Sequence, residues 1–278
     1  MKSGHETETV AFVTVAAGKA RSSASDWFAP AKLTLSLRIV GVRDDGNHLI
    51  EAEMVTLDFG DRLEIRERHG NKTMRRQHEA LMLDAAGREL RDLAPPGENL
   101  VERALAMAEQ LTGRRADATV HKQIPAGAGL GGGSADAAAV LRWAGITDPL
   151  TAVTLGADVA FCLVGGRARV RGIGEIIEPL EYVCEHYTLQ LSPLHCVTGA
   201  VYEAWDQMGG PAGEHGNDLE SAALWVSPEL AQWRDELGDS TGLTPRLAGS
   251  GSTWFVAGAH PGPGRVVAAT TPAPSGGA

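Results

Sequence analysis

Lys122–Ala138 reads KQIPAGAGLGGGSADAA, and this stretch decides the fold. Five glycines stand at positions 127, 129, 131, 132 and 133, between a strand-like segment and an alanine-rich one. Glycine reaches positive φ and leaves room for a ligand to touch the main chain. Several N–H groups can then point into one concavity, with the positive end of the following helix behind them. A polyphosphate can be cradled this way without many lysines. Ser134 is a good cap residue and is expected to open the helix. The stretch also satisfies GxGxxG at Gly127, Gly129 and Gly132. A dinucleotide fold would want an acidic residue about 20 positions on, at the end of a second strand. Asp136 falls inside the new helix and Asp148 precedes Pro149, so that reading is set aside. No GxxxxGK[ST] segment exists, which removes the Walker loop.

Outward from the loop, strands and helices are mixed. Lys32, Thr34, Ser36 and Arg38 alternate with Leu33, Leu35, Leu37 and Ile39, the period of a half-buried strand. Asp45-Gly46 within Arg43–Asn47 is hairpin chemistry. Glu51–Leu57 and Asp61–Arg66 read as two strands broken at Phe59-Gly60. Asn99–Leu111 has helical spacing, and Ala118–Ile124 is strand-like. Leu163–Arg171 reads as a strand, Val201–Met208 and Pro228–Leu237 as helices, and Ala248–Ser252 as a second glycine turn before the strand Thr253–Ala257. Arg265–Thr270 is a last strand. Hairpins crowd the first third, so the expected class is α+β.

Composition excludes several functions. The net charge is −10, which argues against non-specific binding to nucleic acid or an anionic membrane. No apolar run reaches the ~18 residues a spanning helix needs. Cys162, Cys184 and Cys196 are not in CxxC spacing, so a structural zinc site is not expected. They read as small buried hydrophobes of a cytoplasmic protein. Residues 1–26 read as a loosely ordered extension, and the Pro- and Gly-rich final residues as a frayed tail.

Four segments in order resemble the GHMP kinase superfamily: FAPAKLTLSL with RDDGNH (Phe28–His48), the glycine loop, LGADVAFCLVGGRARVRGIGE (Leu155–Glu175) and LAGSGSTWFV (Leu247–Val256). Glu98-Asn99-Leu100, Asn217–Glu220 and Ser227–Leu230 add smaller matches. The resemblance implies an α+β GHMP kinase fold of two domains, 27–175 and 176–278, with the active site in the cleft between them. It implies ATP and Mg²⁺ as cofactors. It also implies a small-molecule alcohol as acceptor, and the match runs closest to the branch acting on a cytidine diphosphate-linked polyol of the non-mevalonate isoprenoid route.

Residue by residue, Lys32 falls on the family's catalytic lysine and Asp158 on its catalytic aspartate. The chemistry fits both. A carboxylate can accept the proton of the attacking hydroxyl, and a lysine can neutralise charge on the transferring phosphoryl group. Pro125, Ala126, Gly127, Ala128, Gly129, Leu130, Gly131, Gly132, Gly133, Ser134 and Ala135 fall on the ATP loop, with Ser134 also a candidate metal contact. The substrate positions are Thr34, Asn47, His48, Thr198 and Tyr202. Where the family writes GYH this chain has Gly46-Asn47-His48, which removes a ring that stacks on the cytosine. His48 is kept, and Tyr202 falls on the other stacking aromatic. Thr34 stands where the family has asparagine. Only 24 positions separate Ser134 from Asp158, where the family spends an extra helix. Other superfamily kinases, acting on mevalonate or homoserine, and a non-catalytic nucleotide binder are the alternatives. The chain is compatible with a monomer or a homodimer.

Overall fold

The computed structural model describes residues 24–68, 79–91 and 97–274. Most of the N-terminal extension and the last four residues lie outside them. β1 (Ala24–Val42) and β2 (His48–Glu67) form a long antiparallel hairpin. Its first residues, Ala24, Ser25 and Asp26, pair with Arg66, Ile65 and Glu64. They belong to the strand and not to the extension that the sequence suggested, because β2 is long enough to offer them ladder partners.

β2 also corrects a second expectation. It is one strand where the sequence suggested two, and Gly60 is the reason. A Cβ at Gly60 would lie 2.3 Å from the Ala29 carbonyl oxygen and 2.8 Å from Pro30 Cα. Glycine at this place lets β1 bulge past β2 at Pro30/Lys32 without ending the ladder.

The other edge of β2 is shared along its length. β4 (Ala116–His121) pairs with positions 62–67, and β3 (Ala80–Leu83) lies parallel to β4. β5 (Arg167–Gly172) pairs with positions 50–55, and β6 (Ile176–Pro179) pairs with β5. The boundary expected after Glu175 therefore falls inside the β5–β6 hairpin, whose ladder carries the first half of the molecule on to Pro179. β7 (His186–Gln190), β8 (Arg246–Leu247), β9 (Trp254–Ala257) and β10 (Arg265–Thr271) make the second half of the sheet. β10 joins the halves by pairing Thr270 and Thr271 with Leu57 and Thr56.

α1 (Leu100–Thr112), α2 (Gly132–Ala144), α3 (Pro149–Ala152) and α4 (Ala157–Val164) belong to the first half. Asn99 caps α1 by accepting from the Val101 N–H at 2.9 Å, and Gly113 ends it at φ +75. The run of alanines in α2, fully buried from Ala137 to Ala139, lets it pack closely between α1, α4 and the sheet. α4 takes Leu163 and Val164, which were expected in a strand. Their apolar run is helical because Phe161, Cys162 and Leu163 all face the core. α5 (Thr198–Gln207), α6 (Glu220–Val226) and α7 (Leu230–Thr241) cover the second half around Trp254, which is fully buried. A smaller cluster of Ala31, Leu33, Leu57, Leu130, Leu189 and Phe255 lies between the two halves. Among the described residues no helix is long and apolar enough to cross a membrane.

Candidate active site

A cleft of about 530 Å³ is lined from both halves of the fold. Its floor begins at β1. From Ala29 to Thr34 this strand is covered on both faces, so the polar row expected at the surface is partly inside. Lys32 is only 5% exposed and Thr34 2%. An ammonium group at that depth needs partners. Lys32 Nζ donates to Thr34 Oγ1 at 3.1 Å and lies 3.2 Å from Asp158 Oδ2. Asp158 stands in the first turn of α4, where the helix dipole favours a negative charge. Two residues 126 positions apart in the chain are thus brought into one ion pair at the cleft wall.

The glycine loop arches over this pair. The Lys32 N–H donates to the Leu130 carbonyl at 3.0 Å. The Gly127 carbonyl accepts from Ser252, and that of Ala128 from Thr253, which ties the loop to the second glycine turn. α2 then starts at Gly132, with Gly131 as its N-cap at φ +67. Ser134 is therefore the third helical residue and not the cap. The glycines wind straight into the helix, sooner than a cap at Ser134 would allow. No side chain caps α2. The N–H groups of its first turn, which have no intrahelical acceptor, are left for an anion.

Of the eleven loop residues singled out from sequence, nine line the cleft, Pro125–Gly129 and Gly131–Ser134, while two do not. Leu130 and Ala135 are fully buried and serve the core. Their side chains point away from the ligand face, so only their backbone borders the loop. Of the substrate candidates, Thr34, His48, Thr198 and Tyr202 line the cleft. Asn47 does not. It closes the Arg43–Asn47 turn, exposed, with its N–H bonded to Asp45 Oδ1 at 3.1 Å. Thr198 shares a hydroxyl hydrogen bond with Ser250 of the second glycine turn at 3.0 Å. Burial pushes the Tyr202 phenol well above its ordinary range.

Sequence reasoning missed a buried group beneath the loop. Lys122 Nζ donates to Asp61, and to Asp136 Oδ2 at 2.8 Å. Asp61 is fully buried and also accepts the Ile124 N–H at 2.8 Å. Burial pulls the Lys122 ammonium down, but the two carboxylates outweigh it and the net direction is up. Burial pushes Asp136 up to about 7, against the opposing pull of Lys122. Asp136 Oδ1 has no hydrogen-bond partner. These three residues come from β2, the residue just past β4, and α2, and no spacing in the sequence connects them. His195 was missed as well; it lines the cleft against the first loop glycine. Of the cysteines, Cys162 and Cys196 are buried as expected, but Cys184 is exposed. Burial holds the Cys162 thiol at about 12.

The comparisons with known proteins meet this geometry. The family described as GHMP kinases N terminal domain matches residues 99–166, the segment that carries the loop and Asp158. A 4-diphosphocytidyl-2-C-methyl-D-erythritol kinase of Cereibacter sphaeroides is 36% identical over 255 residues, covering 82% of this chain and 87% of its own. The chain belongs to the 4-diphosphocytidyl-2-C-methyl-D-erythritol kinase family. A crystal structure of a 4-(cytidine 5'-diphospho)-2C-methyl-D-erythritol kinase superposes with a TM-score of 0.64 at 31% identity, covering 83% of this chain and 89% of that one. A homoserine kinase from Cytophaga hutchinsonii shares the fold alone, with a TM-score of 0.56 at 16% identity. The GHMP kinase fold and its α+β class are therefore those of the 4-diphosphocytidyl-2-C-methyl-D-erythritol kinase family. Membership of this family carries ATP use with it.

Proposed function

We propose that the cleft transfers the γ-phosphoryl group of ATP to the 2-hydroxyl of 4-diphosphocytidyl-2-C-methyl-D-erythritol, a step in the non-mevalonate supply of isoprenoid precursors. The observation that carries the reading is the Lys32–Asp158 pair, 3.2 Å apart beside the glycine loop. Asp158 accepts the proton of the attacking hydroxyl. Lys32, held at the same point by Thr34, neutralises charge on the phosphoryl group in flight. The backbone N–H groups from Gly127 to Ser134 hold the ATP phosphates.

Among the described residues no group of three or more His, Cys, Asp or Glu side chains could hold a metal by itself. That donor set fits Mg²⁺ carried in on the nucleotide, because Mg²⁺ is commonly bound by one or two protein oxygens plus substrate phosphates. Ser134 lines the cleft and would supply one such oxygen, and the ion would neutralise charge on the β and γ phosphates. His48, Thr198 and Tyr202 take the cytidyl end, with Thr34 near the reacting hydroxyl. Asn47 stays at the rim.

Two lobes belong to the same reading, the first running through the β5–β6 hairpin and the second from β7 onward, joined where Thr270 and Thr271 of β10 pair with β2. One chain lines the whole cleft, so a monomer suffices. Three free thiols suit the cytoplasm. The experiment is Asp158→Asn. Nucleotide affinity by calorimetry should stay within about twofold, while phosphoryl transfer falls by at least the ~10²-fold that a positioned base supplies. Transfer at the wild-type rate would remove Asp158 from the role of base.

A further inference from the structure

His48 is gripped by one helix. Its Nε2 lies 2.9 Å from Asp206 Oδ1. Its ring centroid is 4.8 Å from that of Tyr202, tilted by 43°, and 5.7 Å from that of Trp205, nearly edge-on at 80°. Tyr202, Trp205 and Asp206 stand at i, i+3 and i+4 on α5, the spacing that puts three side chains on one face. Trp205 is fixed in turn, its indole N–H donating to the Pro211 carbonyl at 2.9 Å. His48 and Tyr202 line the cleft, whereas Trp205 and Asp206 stand behind them.

This grip has a chemical consequence. A carboxylate accepts hydrogen bonds and does not donate. The proton between His48 and Asp206 is therefore carried on Nε2. In the neutral imidazole the other nitrogen, Nδ1, is then an acceptor. No protein group takes it among the described residues. An acceptor matches the exocyclic amino group of cytosine, which is a donor. A uracil presents a carbonyl oxygen at the same position, as thymine does, and two acceptors repel.

We propose that Asp206 is a positioning residue that sets the tautomer and plane of His48, and through it makes the cleft prefer a cytosine over a uracil base. The inference rests on the base-binding role given to His48 above. The Asp206 side chain is half exposed, so its removal opens no core.

The test uses the whole protein with the cytidyl substrate and its uridyl analogue. KM and kcat are measured for the wild type, Asp206→Ala, His48→Ala and the double variant. Asp206→Ala should raise KM for the cytidyl substrate about fivefold, the worth of one hydrogen bond. It should leave kcat and the KM for ATP unchanged and move the uridyl KM much less, so that base discrimination narrows. The double variant should be no worse than His48→Ala alone, because Asp206 acts only through the imidazole. If His48→Ala raises the cytidyl KM and Asp206→Ala does not, or if Asp206→Ala shifts both substrates equally, the positioning role is wrong while the base pocket stands. If His48→Ala itself leaves the cytidyl KM unmoved, the base pocket falls and the inference falls with it.

Discussion

Gly129 holds φ +74, and a Cβ there would lie 2.0 Å from the Ala248 carbonyl oxygen. Gly133, four residues on, has ordinary φ, and its Cβ would meet only Leu100 Cδ1 at 3.7 Å. The contrast gives a prediction at single-residue scale. Gly129→Ala should destabilise the fold by ~1–3 kcal/mol, the usual cost of forced overpacking, because the two glycine turns must part. Gly133→Ala should be neutral or gain up to ~1 kcal/mol, as alanine does over glycine inside a helix. Denaturant unfolding of both variants checks it, and equal costs would contradict it. The same glycines show how far residues were legible. Their excess reads as room for phosphate, yet the chain itself claims much of that room. Gly127 makes way for the His195 ring, Gly131 for the Lys32 stem and Gly132 for Ile124 and Lys122 Nζ. Lys32 and Asp158 were legible because a motif frames each of them. Asp61, His195 and Asp206 were not, since each meets its neighbour across a long stretch of sequence, and no local pattern records a contact made only on folding.

At the scale of elements, the starts of α1 and α2 differ in a way that separates stability from function. α1 has a side-chain cap, and Asn99→Ala should cost about 1 kcal/mol while Asn99→Asp keeps most of the stability. A chemical denaturation midpoint distinguishes them. α2 has no such cap, and its open N-terminus faces the cleft. The carboxylate inside α2 adds a pH dependence. Asp136 ionises near pH 7 in the fold against 3.8 in the open chain. Between those values the folded state binds the extra proton, so this group's contribution to stability falls as pH rises from about 4 to about 7. Lys122 is shifted upward and titrates above this window. Asp136→Asn should therefore lose stability less steeply than the wild type between pH 5 and pH 7. Parallel curves would show that Asp136 does not titrate there. Helices and hairpins were legible from their periods and turn residues. The single β2 strand was not, because Gly60 reads as a break until the β1 bulge that needs it is known.

At the scale of the molecule, one long strand organises everything. β2 carries β1 on one edge, and β4, β10 and β5 in turn on the other. This arrangement sets the glycine loop, α4, α5 and the second glycine turn around one cleft. The α+β class and the cleft between two halves were legible because four motifs occur in order. The boundary expected after Glu175 cuts a hairpin instead, since the β5–β6 ladder continues across the turn to Pro179. Asn47 stands outside the cleft, while His48 lines it and packs on Tyr202. The most direct measurement is steady-state ATP consumption by the purified protein with three acceptors: 4-diphosphocytidyl-2-C-methyl-D-erythritol, mevalonate and homoserine. The cytidyl substrate should exceed the others in kcat/KM by at least ~10²-fold, as expected where polar groups of the site match only one ligand. Equal turnover of all three, or a preference for mevalonate or homoserine, would contradict the assignment.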